Sequence, residues 1–187
     1  YYRDRDGKLR KDNISNRVRS NIIGYFDQPD RNQLKGGKKA PKIPCRITAW
    51  TRDHPKEWKE SIVPFVEEID RQFKHLLPER YAVQQRRAAK TPDFQISDTA
   101  FSTVTVNYNY QSALHKDAGD LDEGFGNLIV LERSKCKVPG ATEYEGGYLC
   151  FPQYGAALDI RQGDFCAVNV HEWHCNTPII GKLNDAE

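Results

Sequence analysis

The sequence predicts an α+β fold, with helices bracing a β-sandwich or barrel. Three observations carry this. Apolar residues recur at three- and four-residue steps from Trp58 to Leu76, as on an amphipathic helix. From residue 94 onward the chain turns to short runs rich in Thr, Val, Tyr and Phe. Those runs are separated by Gly, Pro and Asp at roughly ten-residue spacing, with no helical pattern between them, which suits a sandwich or barrel. A chain of 187 residues is one domain, with or without an appendage, and long enough to bury a core.

Residues 1–50 read as a polar, partly loop-like basic region and residues 51–187 as the helix-braced core. Lys and Arg gather early, at Arg3, Arg5, Lys8, Arg10, Lys11, Arg17, Arg19, Lys35, Lys38 and Lys39. "DQPDRNQLKGGKKAPKIP" (27–44) reads as a long loop, and "CRITAWT" (45–51) as a short strand. A helix follows, with Thr51 or Asp53 as its cap and Pro55 in its first turn. Trp58, Ile62, Phe65, Ile69, Phe73 and Leu76 form its core stripe. Pro64 kinks or splits it, and Pro78 ends it or begins another. "QQRRAAK" (84–90) is a second basic knot. The strands are "FSTVTVNYNY" (101–110), "NLIVLE" (127–132), "GGYLCFP" (146–152), "AALDI" (156–160) and "DFCAVNV" (164–170), with "RQGD" (161–164) a tight turn.

The formal net charge of +2 does not by itself announce nucleic acid. The local basic clusters are either a solvated face or a phosphate-contacting one. The five cysteines form no CxxC pair, which excludes a zinc-finger spacing and argues against a disulfide framework. Cys150 and Cys166 sit in apolar runs as core residues. No signal peptide or membrane-length apolar run is present, so the expected location is intracellular. Without any Met, the chain reads as an excerpt of a longer one.

The chemistry is concentrated in "NYQSALHKDAGDLDEGFGNLIVLE" (109–132). His115 and Asp117, at i and i+2 after a strand-like run, share one side of an extended chain and can take adjacent positions on one metal ion. "VNVHEWHCNTP" (168–178) offers His171 and His174 as a third ligand. Two imidazoles and a carboxylate on one face, with other positions open, are the ligand set of non-haem Fe(II) oxygenases. "HEWH" is one residue too short for the HExxH of zinc hydrolases.

Beyond these spacings, "FSTVTVNYNYQSALHKDAGDLDEGFGNLIVLE" and "EYEGGYLCFPQYGAALDIRQGDFCAVNVHEWHCNTPI", with "RSNIIGYFD" and "PCRITAWTRDH", resemble the TET/JBP family over most of residues 17–180. The resemblance implies a double-stranded β-helix (jelly-roll-like) core flanked by helices. It implies an Fe(II)- and 2-oxoglutarate-dependent dioxygenase that oxidises the 5-methyl group of thymine or 5-methylcytosine in nucleic acid. His115, Asp117 and His174 match the iron ligands, with His171 the rival for the distal place. Asp120 matches the position that contacts the Watson–Crick edge of the target base. The family's arginine for the far carboxylate of 2-oxoglutarate is not found after His174; it lies past Glu187, or Lys182 replaces it. Asn107 and Asn109 can line the pocket. The partner implied is DNA with a flipped or single-stranded pyrimidine, gripped by Arg17, Arg19, Arg46 and Arg52, with Tyr154 or Phe151 for stacking. The location follows the DNA: the nucleus in a eukaryote, the cytoplasm for a phage or bacterial chain. The alternatives are a dioxygenase of the same scaffold acting on protein or a small molecule, and a non-catalytic nucleic-acid-binding barrel.

Overall fold

The computed structural model describes residues 2–3, 9–10, 19–26, 45–108, 110–131 and 144–181. The loop expected at 27–44 lies outside them. Contacts group the chain into two units, Ser20–Val106 and Tyr1–Arg19 with Asn107–Glu187. In the latter, β1 (Tyr2–Arg3) and β2 (Leu9–Arg10) pair antiparallel.

The unit Ser20–Val106 is built on β3 (Arg19–Phe26), which pairs antiparallel with β4 (Arg46–Ile47). Strand β3 corrects the reading of this stretch as irregular. Its Ile-Ile-Gly-Tyr-Phe run is strand-forming, and Ile23 is buried in the core. The strand expected at 45–51 stops after β4, because α1 (Ala49–Asp53) begins there. Thr51 is no cap either. It is buried, and its Oγ1 accepts the Gly24 N–H at 2.8 Å. Gly24 needs that support: its φ is +90°, and a Cβ would stand 2.6 Å from the Ser102 carbonyl oxygen.

Helix α2 (Pro55–Glu57) opens on Pro55 and runs through a π-helical turn, Trp58–Ile62, into α3 (Val63–Leu76). The Val63 N–H bonds the Trp58 carbonyl, five residues back. Pro64 follows at once and offers no N–H to the i−4 carbonyl, so the wider turn falls where the helix ladder is weakest. Val66 and Phe73 are buried, whereas Phe65 and Leu76 of the expected stripe are 38% and 55% exposed. Helix α4 (Pro78–Ala88) starts on Pro78 and includes most of the second basic knot. Its Tyr81 packs edge-on against Phe73, ring centroids 5.8 Å apart. The Tyr81 hydroxyl donates to Asp70 Oδ2 at 2.9 Å, while Asp70 Oδ1 accepts the Ala100 N–H at 2.7 Å. One carboxylate of α3 thereby fastens both α4 and the segment entering β5 (Thr103–Tyr108), which joins β3 on the side away from β4.

In the other unit the strands are β6 (Gly126–Ile129), β7 (Tyr144–Gly146), β8 (Leu149–Phe151), β9 (Ala156–Leu158), β10 (Phe165–Val168), β11 (Cys175–Asn176) and β12 (Ile179–Gly181). All their pairings are antiparallel: β6 with β10, β7 with β12, and β8 between β9 and β11. The pair β7–β12 encloses β8–β11 in sequence, so early and late strands are nested. The expected turn is present, with Asp164 N–H on the Arg161 carbonyl and Gly163 at φ +80°. The strands β11 and β12, after the distal histidine, have no counterpart among those expected from the sequence. Cys150 and Cys166 are half-buried rather than core, and Cys150 faces Cys175 across β8–β11. Among the described residues of this unit, the buried side chains are Leu149, Phe151, Val170 and His174.

Candidate metal centre

The site is assembled around one bridge of β-structure and the residues just beyond it. His115 pairs with His174 as an antiparallel bridge, each main-chain N–H bonding the other's carbonyl at 3.0 Å. Two residues on, the Asp117 N–H bonds the Val170 carbonyl at 3.0 Å. The side chain of Asn176 ties the preceding chain to the bridge. Its Oδ1 accepts from Ser112 N–H and Oγ at 2.6 and 2.8 Å, and its Nδ2 donates to the Tyr110 carbonyl at 2.9 Å. The sequence signals no role for Asn176, since an amide after a histidine looks the same whether or not it reaches across to another strand.

The ligand atoms of His115, Asp117 and His174 lie within 4.8 Å of one another. His174 is buried and the other two half-buried. The two imidazole rings stand 4.3 Å apart, and Phe151 lies beside His174 at 6.2 Å. Both histidines use Nδ1 in the same way. His115 Nδ1 faces the Ala113 carbonyl at 2.7 Å, and His174 Nδ1 faces the Glu172 carbonyl at 2.9 Å. A carbonyl can only accept, so each Nδ1 carries a proton and each Nε2 of the neutral ring presents a lone pair. That tautomer is the one a metal-ligating imidazole needs.

The same geometry tests whether a cation fits. His115 Nε2 lies 3.3 Å from Asp117 Oδ1. A lone pair and a carboxylate oxygen at that distance repel unless a proton or a cation is shared between them. The separation also matches the edge, about 3 Å, of an octahedron with bonds of about 2.1 Å. The donor set of two imidazoles and one carboxylate suits Fe(II).

His171 does not join this group. Its Nε2 faces the Leu121 carbonyl at 3.1 Å, with Asp122 Oδ1 at 3.9 Å. Asp120 lies on the loop between Asp117 and β6 and keeps contact with solvent. Asp120 is exposed, but partial desolvation of its carboxyl, then the Asp117 charge, pushes its pKa upward, while His171 acts the other way. Asn107 is exposed on β5. Asn109, Lys182 and Arg17 lie outside the described residues, as does the side chain of Arg19. Arg46 is exposed and lines a cavity of about 170 Å³ with Phe26, Thr48 and Ala49. Arg52 is held bidentately by Asp53, Nε to Oδ1 at 2.8 Å and Nη2 to Oδ2 at 3.1 Å. Tyr154 is 66% exposed, whereas Phe151 is buried. No described helix is long and apolar enough to cross a membrane.

Residues 32–186 match the family model Tet_JBP, the oxygenase domain of the 2OGFeDO superfamily. Thymine dioxygenase JBP1 of Trypanosoma brucei brucei is 33% identical over 169 residues, covering 89% of this chain and 18% of that protein. Thymine dioxygenase JBP1-B of Trypanosoma cruzi is 33% identical over 159 residues, 84% of this chain and 17% of that one. The bifunctional helicase and thymine dioxygenase JBP2 of T. brucei brucei is 30% identical over 161 residues, 84% and 13% respectively. The chain therefore spans less than a fifth of the length of these relatives.

Proposed function

This chain belongs to the Tet_JBP family of oxygenase domains, and from that membership we propose an Fe(II)- and 2-oxoglutarate-dependent dioxygenase that oxidises the 5-methyl group of thymine or 5-methylcytosine in DNA. The observation that carries the reading is the pair of Nδ1-protonated imidazoles beside the Asp117 carboxylate, three donors within 4.8 Å of one another. His115, Asp117 and His174 would hold the iron. When bound, iron would supply the oxidation of the methyl C–H bond by dioxygen, one oxygen atom entering the hydroxymethyl group and the other the succinate formed, with CO2, from 2-oxoglutarate. The nested antiparallel pairing supports a double-stranded β-helix as the scaffold.

The remaining roles belong to the chain's own side chains. Asp120 addresses the Watson–Crick edge of the base. As a carboxylate it accepts from the cytosine amino group; protonated, it donates to the thymine carbonyl. Asn107 and Asn109 line the approach. Lys182, or an arginine past Glu187, meets the far carboxylate of 2-oxoglutarate. A base inside a duplex cannot reach a site of this kind, so the substrate base is flipped or single-stranded. Arg17, Arg19 and Arg46 grip phosphates, and Arg52 does so only after leaving Asp53. Of the two rings expected to stack, Phe151 and Tyr154, Tyr154 is the exposed one.

The test is anaerobic binding of Fe(II) and 2-oxoglutarate, then admission of dioxygen and mass spectrometry of nucleosides from DNA carrying each base. His115→Ala and Asp117→Ala are expected to lose metal binding and turnover, by about 100-fold or more, with unfolding curves close to the parent's. Loaded protein that forms no hydroxymethyl product from either base would overturn the proposal.

A further inference from the structure

His171 is the histidine that the metal group leaves over, and its hydrogen bonds give it a different task. Its Nε2 faces a carbonyl oxygen, that of Leu121, at 3.1 Å. Nε2 must therefore carry the proton and donate, so it has no lone pair for a metal. The Leu121 carbonyl also closes the loop on itself by accepting the Gly124 N–H at 2.8 Å. At its other end, His171 is fixed by its own N–H on Asn169 Oδ1 at 3.1 Å. The residue between, Val170, is buried and accepts the Asp117 N–H. The short turn 169–171 thus holds the loop at its start, through Asp117, and again at Leu121, the residue next to Asp120. Between those anchors Ala118, Gly119 and Asp120 are all exposed, and a Cβ added at Gly119 would meet nothing within 4 Å. Packing does little to fix this stretch.

We infer that His171 is a positioning residue for base recognition: its Nε2–H, bound to the Leu121 carbonyl, sets where Asp120 stands beside the metal ligands. The inference rests on the reading of Asp120 as the base-contacting residue. It assigns the turn before His174 a double duty, carrying a metal ligand on its far side and holding the base-reading loop on its near side. His171 touches neither iron nor base.

The experiment compares His171→Leu, which removes the donor, with His171→Gln, whose amide N–H can reach the same carbonyl, in the full chain. His171→Leu is expected to raise KM for a methylated oligonucleotide by roughly five- to ten-fold, the loss of one hydrogen bond's worth of ordering, with kcat within about two-fold. Co(II) affinity stays within about two-fold of the parent's. Hydrogen exchange at the Gly124 amide speeds up. His171→Gln restores all of these. In an Asp120→Ala background, His171→Leu adds nothing further to KM. The inference fails if His171→Leu leaves exchange and KM unchanged. It fails if Co(II) affinity falls as it does for His174→Ala, or if a folded His171→Gln does not rescue. Should His171→Leu not fold, His171→Ala gives the same comparison. If the parent itself oxidises neither base, the proposed function fails, while the exchange comparison still decides whether His171 holds the loop.

Discussion

A single methyl group at Gly126 tests how the ligand Asp117 is supported. A Cβ added to Gly126 would lie 2.3 Å from Val170 Cγ1 and 3.6 Å from Val170 Cβ, where carbon atoms prefer about 3.5–4.0 Å. Val170 cannot step aside freely. It is buried, 6% exposed, and β-branched, so few rotamers are open to it. Its backbone is engaged as well, because its carbonyl holds the Asp117 N–H. Overpacking of this kind costs about 1–3 kcal/mol. The reduced chain entropy of alanine returns about 0.5–1 kcal/mol, leaving a net loss of about 1 kcal/mol at the middle of these ranges. For a chain of this size that lowers Tm by roughly 2–4 °C. The strain passes through the Val170 carbonyl to Asp117, so Gly126→Ala is also expected to weaken metal binding. Thermal and urea unfolding, with Co(II) titration, measure both effects. Adding Val170→Ala should relieve the clash, making the double variant more stable than the sum of the singles by about 1 kcal/mol. If Gly126→Ala matches the parent in stability and affinity, or if the two changes simply add, the reasoning is wrong.

Two further outcomes are expected. Tyr81→Phe removes the hydrogen bond to Asp70 and should cost about 1–2 kcal/mol in urea unfolding. It should also change the alkaline limb. Burial first, then the Asp70 hydrogen bond, pushes the Tyr81 pKa up to about 12 from 10.0. A raised pKa contributes stability that is whole below about pH 10 and is lost as pH rises through about 12. The parent should lose stability across that window and the Phe variant should not lose this share. For DNA, Arg46→Ala should shrink the slope of log affinity against log salt by about 1. Arg52→Ala should change it less, because Asp53 already answers that charge; equal effects from the two would refute the distinction.

What can be read in the residues, and what cannot, follows the range of the interactions. His115 and Asp117 are legible because an i, i+2 pair shares one side of any extended chain. Their convergence with His174 can only be suggested, since it depends on a bridge between residues far apart in sequence. The helix is legible from its spacing, and Pro64 marks the point of disturbance. Which residues of the stripe are covered is not, because that depends on contacts with segments distant in sequence; Phe65 and Leu76 are exposed while Val66 and Phe73 are buried. Strand β3 is hidden by its polar surroundings. The contact of His171 is unreadable in principle. Its partner is the carbonyl of Leu121, 50 positions away, and a peptide carbonyl is present whatever the residue.

The carbonyls of Ala113 and Glu172 raise a related point about the two imidazoles. Many histidines owe their ring orientation to an acidic neighbour that one codon change can delete. Here the orienting atoms belong to the peptide groups two positions upstream, so no replacement at either place takes them away. Changing Glu172 or Ala113 alters bulk and charge nearby but leaves the proton on the same nitrogen. Insertion or deletion of one residue between 113 and 115, or between 172 and 174, is what would bring the wrong oxygen under the ring. The centre is vulnerable to changes in chain length and tolerant of changes in side-chain chemistry at those two sites.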